Sequence, residues 1–322
     1  MTQTTIKNPP PGPLPGYQEN QRRPEEAASR PATHSVLGRK IAPYLFLVPY
    51  GASFLAFIVL PFVIAMVLAF MQFDLASQQQ ARFIGFKNFG EAWNDPYFWK
   101  ALSATLNYVV LMVPASLIVA MLLALGMHAM TTGRHIVRAT LFLPGMLNVA
   151  VAAIMWQWFY NSDFGLFNFL LKRMGLPQIG WLTDKWLAMP SIVIMSVWWT
   201  VGGTSVVLLA GLQQIPPQLW EAAAIDGATR WQSFWRITLP MLKPVLMFVA
   251  VINTIGAFQV FGQPFLLTRG GPELTTRGIV QYIYETAFQN YRLGYGAAMS
   301  WLLFAIIGAF SYVQYRLIRR AT

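Results

Sequence analysis

Six stretches of this chain contain no Asp, Glu, Lys or Arg: residues 41–73, 101–133, 139–162, 186–220, 244–268 and 293–315. Each exceeds the roughly 20 residues that cross about 30 Å of hydrocarbon. Lipid offers a backbone no hydrogen bonds, so a segment there must satisfy its own, which a helix does. The expected fold is an all-α integral membrane protein with six transmembrane helices, centred near Phe57, Val113, Ala150, Val201, Ile255 and Phe304. Composition agrees, at 56% hydrophobic and 11% charged residues, where a soluble domain carries about a quarter charged.

Residues 1–40 differ. They are rich in Pro and polar residues and hold no apolar run, so they read as a disordered tail. The tail lacks the apolar core of a cleavable signal peptide, which leaves the first span as the expected targeting element. The net charge of +11 comes from basic residues that flank spans or sit in the tail, so nucleic acid is not an expected partner. Lys and Arg are more numerous on the side of the N-terminus, which favours cytoplasmic N- and C-termini. No internal repeat is visible, and six spans alone make a thin wall around a wide path, so a second membrane subunit is expected.

A charged patch lies between two apolar spans at "EAAAIDGATRWQSFWRITLP", residues 221–240, inside a linker of about 213–243. Pro216 and Pro217 end the preceding helix and preset a new one. Glu221 followed by three alanines favours helix. Asp226-Gly227 is a turn pair whose Gly can close that helix, and Thr229 with Gln232 has the spacing of a capping box that opens the next. Trp231, Phe234 and Trp235 share one side of it. The segment reads as a helix–turn–helix elbow at the membrane surface. Its small alanines beside one acid suit close approach by a basic partner protein; an ordinary amphipathic linker is the other reading.

These residues resemble the EAA motif of binding-protein-dependent ABC importer permeases: E-A-A, then D-G-A, then I-x-L-P. The matching positions are Glu221, Ala222, Ala223, Asp226, Gly227, Ala228, Ile237, Leu239 and Pro240. "FIGFKNF", "LFLPGMLNVAVAAIMWQWFYNSDFGLFNFLL", "LAGLQQIPPQLWEAA" and "LLTRGGPELTT" are similar to the sugar-permease branch, in particular the first permease of the maltose and glycerol-3-phosphate type. The resemblance implies the type I ABC importer permease fold, with the elbow as a cytoplasmic coupling loop. It also implies a location in the inner membrane, a second permease subunit, two cytoplasmic ATPase subunits and an external solute-binding protein. The cargo would be a sugar or oligosaccharide, with glycerol-3-phosphate or another polyol derivative as the alternative.

Catalytic chemistry is not indicated. The sequence has no G-x-x-x-x-G-K-[ST] phosphate loop, so ATP and Mg would bind the partner ATPase and no cofactor is expected in this chain. His34, His128 and His135 form no metal-ligand pattern, and Cys is absent. The spans carry no central ionisable relay, which argues against a proton-coupled transporter, while a stand-alone facilitator remains a second class of reading. A charge-free path suits a neutral, hydroxyl-rich cargo, although Lys100 and Arg292 stand near the outer ends. Aromatic faces and amides suited to a sugar come from the fourth and fifth spans: Ser196, Trp199 and Thr200, then Asn253, Gln259 and Gln263. Asn253 and Gln259 are expected to be buried and therefore to need partners. Bonds between helices are the alternative role for all six.

Overall fold

The computed structural model describes residues 46–74 and 81–319, with side chains to residue 316. The expected tail, 1–40, and the start of the first uncharged run lie outside the described residues. Backbone contacts divide the chain into two units, Met1–Leu60 and Pro61–Thr322. In the first, the described residues are helical and apolar; Phe46 and Phe57 are exposed, and Ser53 Oγ donates to Pro49 O at 3.0 Å. They begin the first apolar helix, α1 (Phe46–Ala69).

In the second unit, two-residue strands β1 (Met71–Gln72) and β2 (Arg82–Phe83) pair antiparallel, Met71 opposite Phe83. Helix α2 (Lys87–Asn94) follows, and its buried Asn88 donates to the carbonyls of Ala69 and Met71, both at 2.9 Å. Asp95 then caps the 34-residue helix α3 (Pro96–Ala129), accepting from the Tyr97 N–H at 2.8 Å, with Pro96 in the first turn. The third uncharged run is not one straight span: α4 (Arg134–Met146) and α5 (Val149–Tyr160) meet at 97°. Leu147 is extended and Asn148 starts a new helix by accepting from the Ala150 N–H at 2.8 Å. An Asn that caps a helix cannot also continue the previous one, and this sets the bend.

Helix α6 (Leu166–Arg173) leads to α7 (Ala188–Gln213), then α8 (Pro217–Ile225). Helix α9 (Arg230–Phe258) runs from the elbow through a π-turn at Phe234–Thr238 into the fifth span. Short helices α10 (Gly262–Thr268) and α11 (Ile279–Tyr284) precede α12 (Leu293–Arg319). Among the described residues, five helices are long and apolar enough to cross a membrane, and the bent pair makes six. Unpaired apolar side chains such as Val110 and Ile154 face outward, as lipid allows.

The interior has two parts. Phe98, Tyr108, Met112, Ile192, Met195, Phe258 and Met299 fill one end. Ala120, Met121, Met127, Leu208, Leu212 and Leu242 fill the end nearer the elbow. Helices α3 and α7 contribute to both, so they form the spine of the unit. Close helix approach rests on Gly202, where a Cβ would stand 2.0 Å from the Leu141 carbonyl oxygen. That obstacle is backbone and cannot turn aside. Neighbouring Gly203 has open space.

The two glycines should therefore respond oppositely. Gly202→Ala forces α4 from α7 and should destabilise by about 1–3 kcal/mol. Gly203→Ala should be neutral or stabilise by up to about 1 kcal/mol through helix propensity. Thermal unfolding of the two purified variants in one detergent measures both; equal Tm values would refute the packing role of Gly202.

Candidate functional site

The elbow has the construction its residues dictate. Helix α8 ends in a Schellman arrangement: the Ala228 N–H donates to Ala223 O at 2.9 Å, and the Gly227 N–H to Ala224 O at 3.1 Å. Gly227 sits at φ +76°, the left-handed region that favours glycine. Thr229 and Gln232 form a complete capping box, with the Thr229 N–H donating to Oε1 at 2.8 Å and the Gln232 N–H to Oγ1 at 3.3 Å. The turn between the two helices is thus closed by its own backbone and cap bonds.

What the elbow presents outward is a contact surface. Glu221, Ala222, Asp226 and Gly227 are exposed, and Ala223 and Ala228 half-buried. Ile225, 87% exposed, stands in the open between them. Trp231 and Trp235 are exposed as well, and their rings pack with Phe234 at centroid distances of 5.3–6.1 Å. Apolar side chains ringed by charges on a rigid turn suit a protein interface. The inner side is pinned: Trp220 Nε1 donates to buried Thr238 Oγ1 at 3.1 Å, and the Trp220 ring lies 5.5 Å from His128 at the end of α3. Trp220 thus ties α8 to the foot of α9 and to the end of α3.

The six path candidates do not form one cluster. Ser196 is fully buried and donates to Ile192 O at 2.8 Å, while Thr200 Oγ1 donates to Ser196 O at 2.8 Å. Both are bonds within one helix. Trp199 Nε1 donates to Leu147 O at 3.1 Å, tying α7 to the bend between α4 and α5. Trp199 and Thr200 do line one cavity, about 260 Å³, with Phe142, Gly145, Gly202 and Gly203. Asn253 is half-buried and donates to Ser116 Oγ on α3 at 3.4 Å. Gln263 is buried on α10. Gln259 departs from expectation. It is exposed, because α9 ends at Phe258 and Gln259 is its cap residue.

Residues 94–322 match the model of a family described as the binding-protein-dependent transport system inner membrane component. The chain belongs to this family. Among its relatives are the probable ABC transporter permease protein YurN of Bacillus subtilis, 35% identical over 85% of this chain and 95% of that one, and the sulfoquinovosyl glycerol transport system permease protein SmoG of Agrobacterium fabrum, 32% identical over 88% and 92%. A bacterial alginate ABC transporter, solved in complex with an alginate pentasaccharide-bound periplasmic protein, superposes with a TM-score of 0.77 at 27% identity, covering 89% of this chain and 96% of that one. The permease thus has the type I importer fold, and it is a multi-pass membrane protein.

At the far end of the permease from the elbow, side chains join backbone bonds such as Gly294 N–H to Phe73 O, 3.1 Å, in holding the connections together. Tyr282 and Tyr295 both donate to Asp95 Oδ2, the latter at 2.7 Å. Arg292 donates to both carboxylate oxygens of Glu91 at 2.7 and 2.8 Å, and Arg277 pairs with Glu285. Burial opposes ionisation of Asp95, but the two hydroxyls and the Tyr97 and Phe98 N–H groups outweigh it and hold its pKa below the usual 3.8. The Tyr282 hydroxyl is pushed up to about 12, by burial first and then by Asp95. Sequence reading missed this cluster because Asp95 stands some 190 residues from its partners, and missed the Trp220–Thr238 brace because a Trp beside an apolar linker carries no partner signal.

The signs follow. A carboxylate with a depressed folded pKa contributes stability above its unfolded pKa, lost as pH falls through the folded value; a Tyr with a raised one contributes below its unfolded pKa of about 10 and loses it as pH rises through about 12. Thermal unfolding of wild type and Asp95→Asn should therefore differ between about pH 5 and 9, and converge below pH 3.8. Curves that stay parallel through acid would contradict the assignment.

Proposed function

We propose that this permease forms half of the translocation path of an ATP-driven importer, and that its cargo is a carbohydrate handed over by an external solute-binding protein. It would pair with a second, related permease and with two cytoplasmic ATPase subunits that supply ATP and Mg chemistry. The single observation that carries the reading is the elbow: Glu221, Ala222, Asp226 and Gly227 lie exposed on a turn whose inner side is braced to α3 and α9. The relatives named for sulfoquinovosyl glycerol and alginate support a carbohydrate cargo. The cavity at Trp199 and Thr200 supplies an aromatic face and a hydroxyl of the kind a sugar needs, with Asn253 as a further polar candidate. Ser196 is assigned to helix integrity, since its hydroxyl is already spent.

In this mechanism ATP binding closes the ATPase dimer, and α8 moves with it. Trp220 and Thr238 pass that movement to the fifth span, and the path opens to the other side. Coupling of this kind requires that the elbow contact the motor differently in its two states. Both termini then lie in the cytoplasm with the elbow, and the Asp95 cluster faces outward.

Two substitutions test the role. Glu221→Lys reverses the charge offered to the motor, and Gly227→Pro demands a φ near −65° where the turn needs +76°. Each should lower ATP-dependent uptake by tenfold or more, by the scale of a lost charge-assisted contact, while the chain still reaches the membrane with its partner permease. Wild-type uptake by either variant would overturn the role. Sugar flux through liposomes that hold this chain alone would instead establish a facilitator.

A further inference from the structure

A cavity with charged and amide groups in its lining lies at the end of the permease opposite the elbow. Its volume is about 340 Å³, and Lys100, Ser103 and Asn107 of α3 line it together with Lys185, Trp186 and Thr275. That volume falls in the range of small-molecule sites, about 300–1,000 Å³. Lys100 stands 28 residues before His128 on α3, roughly 40 Å along the helix from the elbow's brace.

Three observations say what the cavity is built for. First, Lys100, Ser103 and Asn107 recur at the spacing of one helical face, and all three are exposed. Among the described residues nothing hydrogen-bonds the Asn107 amide, and an amide left bare against lipid is unfavourable. This stripe of α3 must meet water or a polar ligand. Second, among the described residues neither Lys100 nor Lys185 has a carboxylate partner, and no described lining residue is acidic. The nearest acid in sequence, Asp184, is occupied in accepting from the Trp186 and Leu187 N–H groups at 2.7 and 3.2 Å. Third, the Lys185 ammonium lies 5.7 Å from the centre of the exposed Trp186 ring. A cation beside an indole face offers one group for a charge and one for the C–H surface of a sugar.

We infer that this cavity is an entry site for an acidic carbohydrate: Lys100 and Lys185 hold its carboxylate, sulfonate or phosphate, Trp186 stacks on a ring, and the Asn107 amide reads hydroxyls, while the Ser103 and Thr275 hydroxyls already donate to Lys100 O and Pro272 O, both at 2.7 Å. The path deeper in the permease is free of charged side chains, so selection for the anionic group happens at the mouth and the sugar moves on past neutral groups. Two ammoniums on flexible stems act as point charges that release their ligand readily, which suits a transit site more than a tight store.

The inference deepens the carbohydrate-import reading and rests on it, so binding and uptake are measured separately. Binding is read by isothermal titration of the full chain with its partner subunits in phosphatidylcholine nanodiscs, using trigalacturonate and neutral galactotriose as probes. Trigalacturonate should bind at least tenfold more tightly than galactotriose and weaken as salt rises. The double variant Lys100→Gln/Lys185→Gln should lose about tenfold in affinity for the acidic probe only, and Trp186→Leu should weaken both probes. Equal binding of the two probes, or an unchanged double variant, would overturn the inference. So would loss of acidic-probe binding when phosphatidylglycerol is added to the nanodiscs, since the cations would then serve a lipid headgroup. An equal fall in binding-protein-stimulated ATPase activity with either sugar would likewise assign the lysines to an acidic surface of the binding protein. If binding behaves as expected but intact cells take up neither sugar, the site stands and the import reading falls.

Discussion

A backbone amide inside hydrocarbon has no water to turn to, so each place where a helix breaks must be repaired by groups close at hand. Three of the helix ends among the described residues are repaired in different ways. At the bend between α4 and α5, Asn148 caps the new helix and Trp199 Nε1 reaches from α7 to the freed Leu147 carbonyl. At the C-terminal end of α10, Gln157 of α5 donates to Leu266 O at 2.6 Å. At the elbow the repair is wholly local, a Schellman closure followed by a capping box. Because the turn closes on itself while Trp220 and Phe234 pack on the bundle, the elbow keeps its outer face exposed.

The same logic separates positions that shape the molecule from those left free to act. Ser196, Thr200 and Trp199 spend a donor each on a carbonyl, and Asn253 bonds Ser116 across to α3. Only the indole face of Trp199 and the surface of Thr200 remain for a cargo in the cavity they share. Lys100, Asn107 and Lys185 have no such duties. Side chains without structural work, gathered on one cavity, are the places where recognition is most economically built.

Much of this was legible in the chain. Uncharged length alone gives the spans, because transfer into lipid penalises any charge. The elbow could be read residue by residue, since Gly227, Thr229 and Gln232 act through neighbours no more than a few positions away. The bend at Leu147 was not legible, as Asn148 inside an uncharged run looks no different from a polar residue bonded across helices. Gln259 misled for the complementary reason. Its apolar surroundings suggested burial, but the chain leaves the helix there and the side chain turns outward. The Asp95 cluster and the Lys100–Lys185 cavity depend on contacts between distant segments, which no local pattern announces.

The proposed mechanism of transport depends on the elbow being the handle by which a separate motor moves the bundle. The chain contains no cysteine, so Ala224→Cys on the exposed face of α8 gives a unique thiol for crosslinking within the assembled transporter. A cytoplasmic coupling elbow should crosslink to the ATP-hydrolysing subunit, in a yield that changes when nucleotide binds, and should be protected from impermeant thiol reagents added outside intact cells. Labelling from outside, or the absence of any crosslink to that subunit in both nucleotide states, would contradict it.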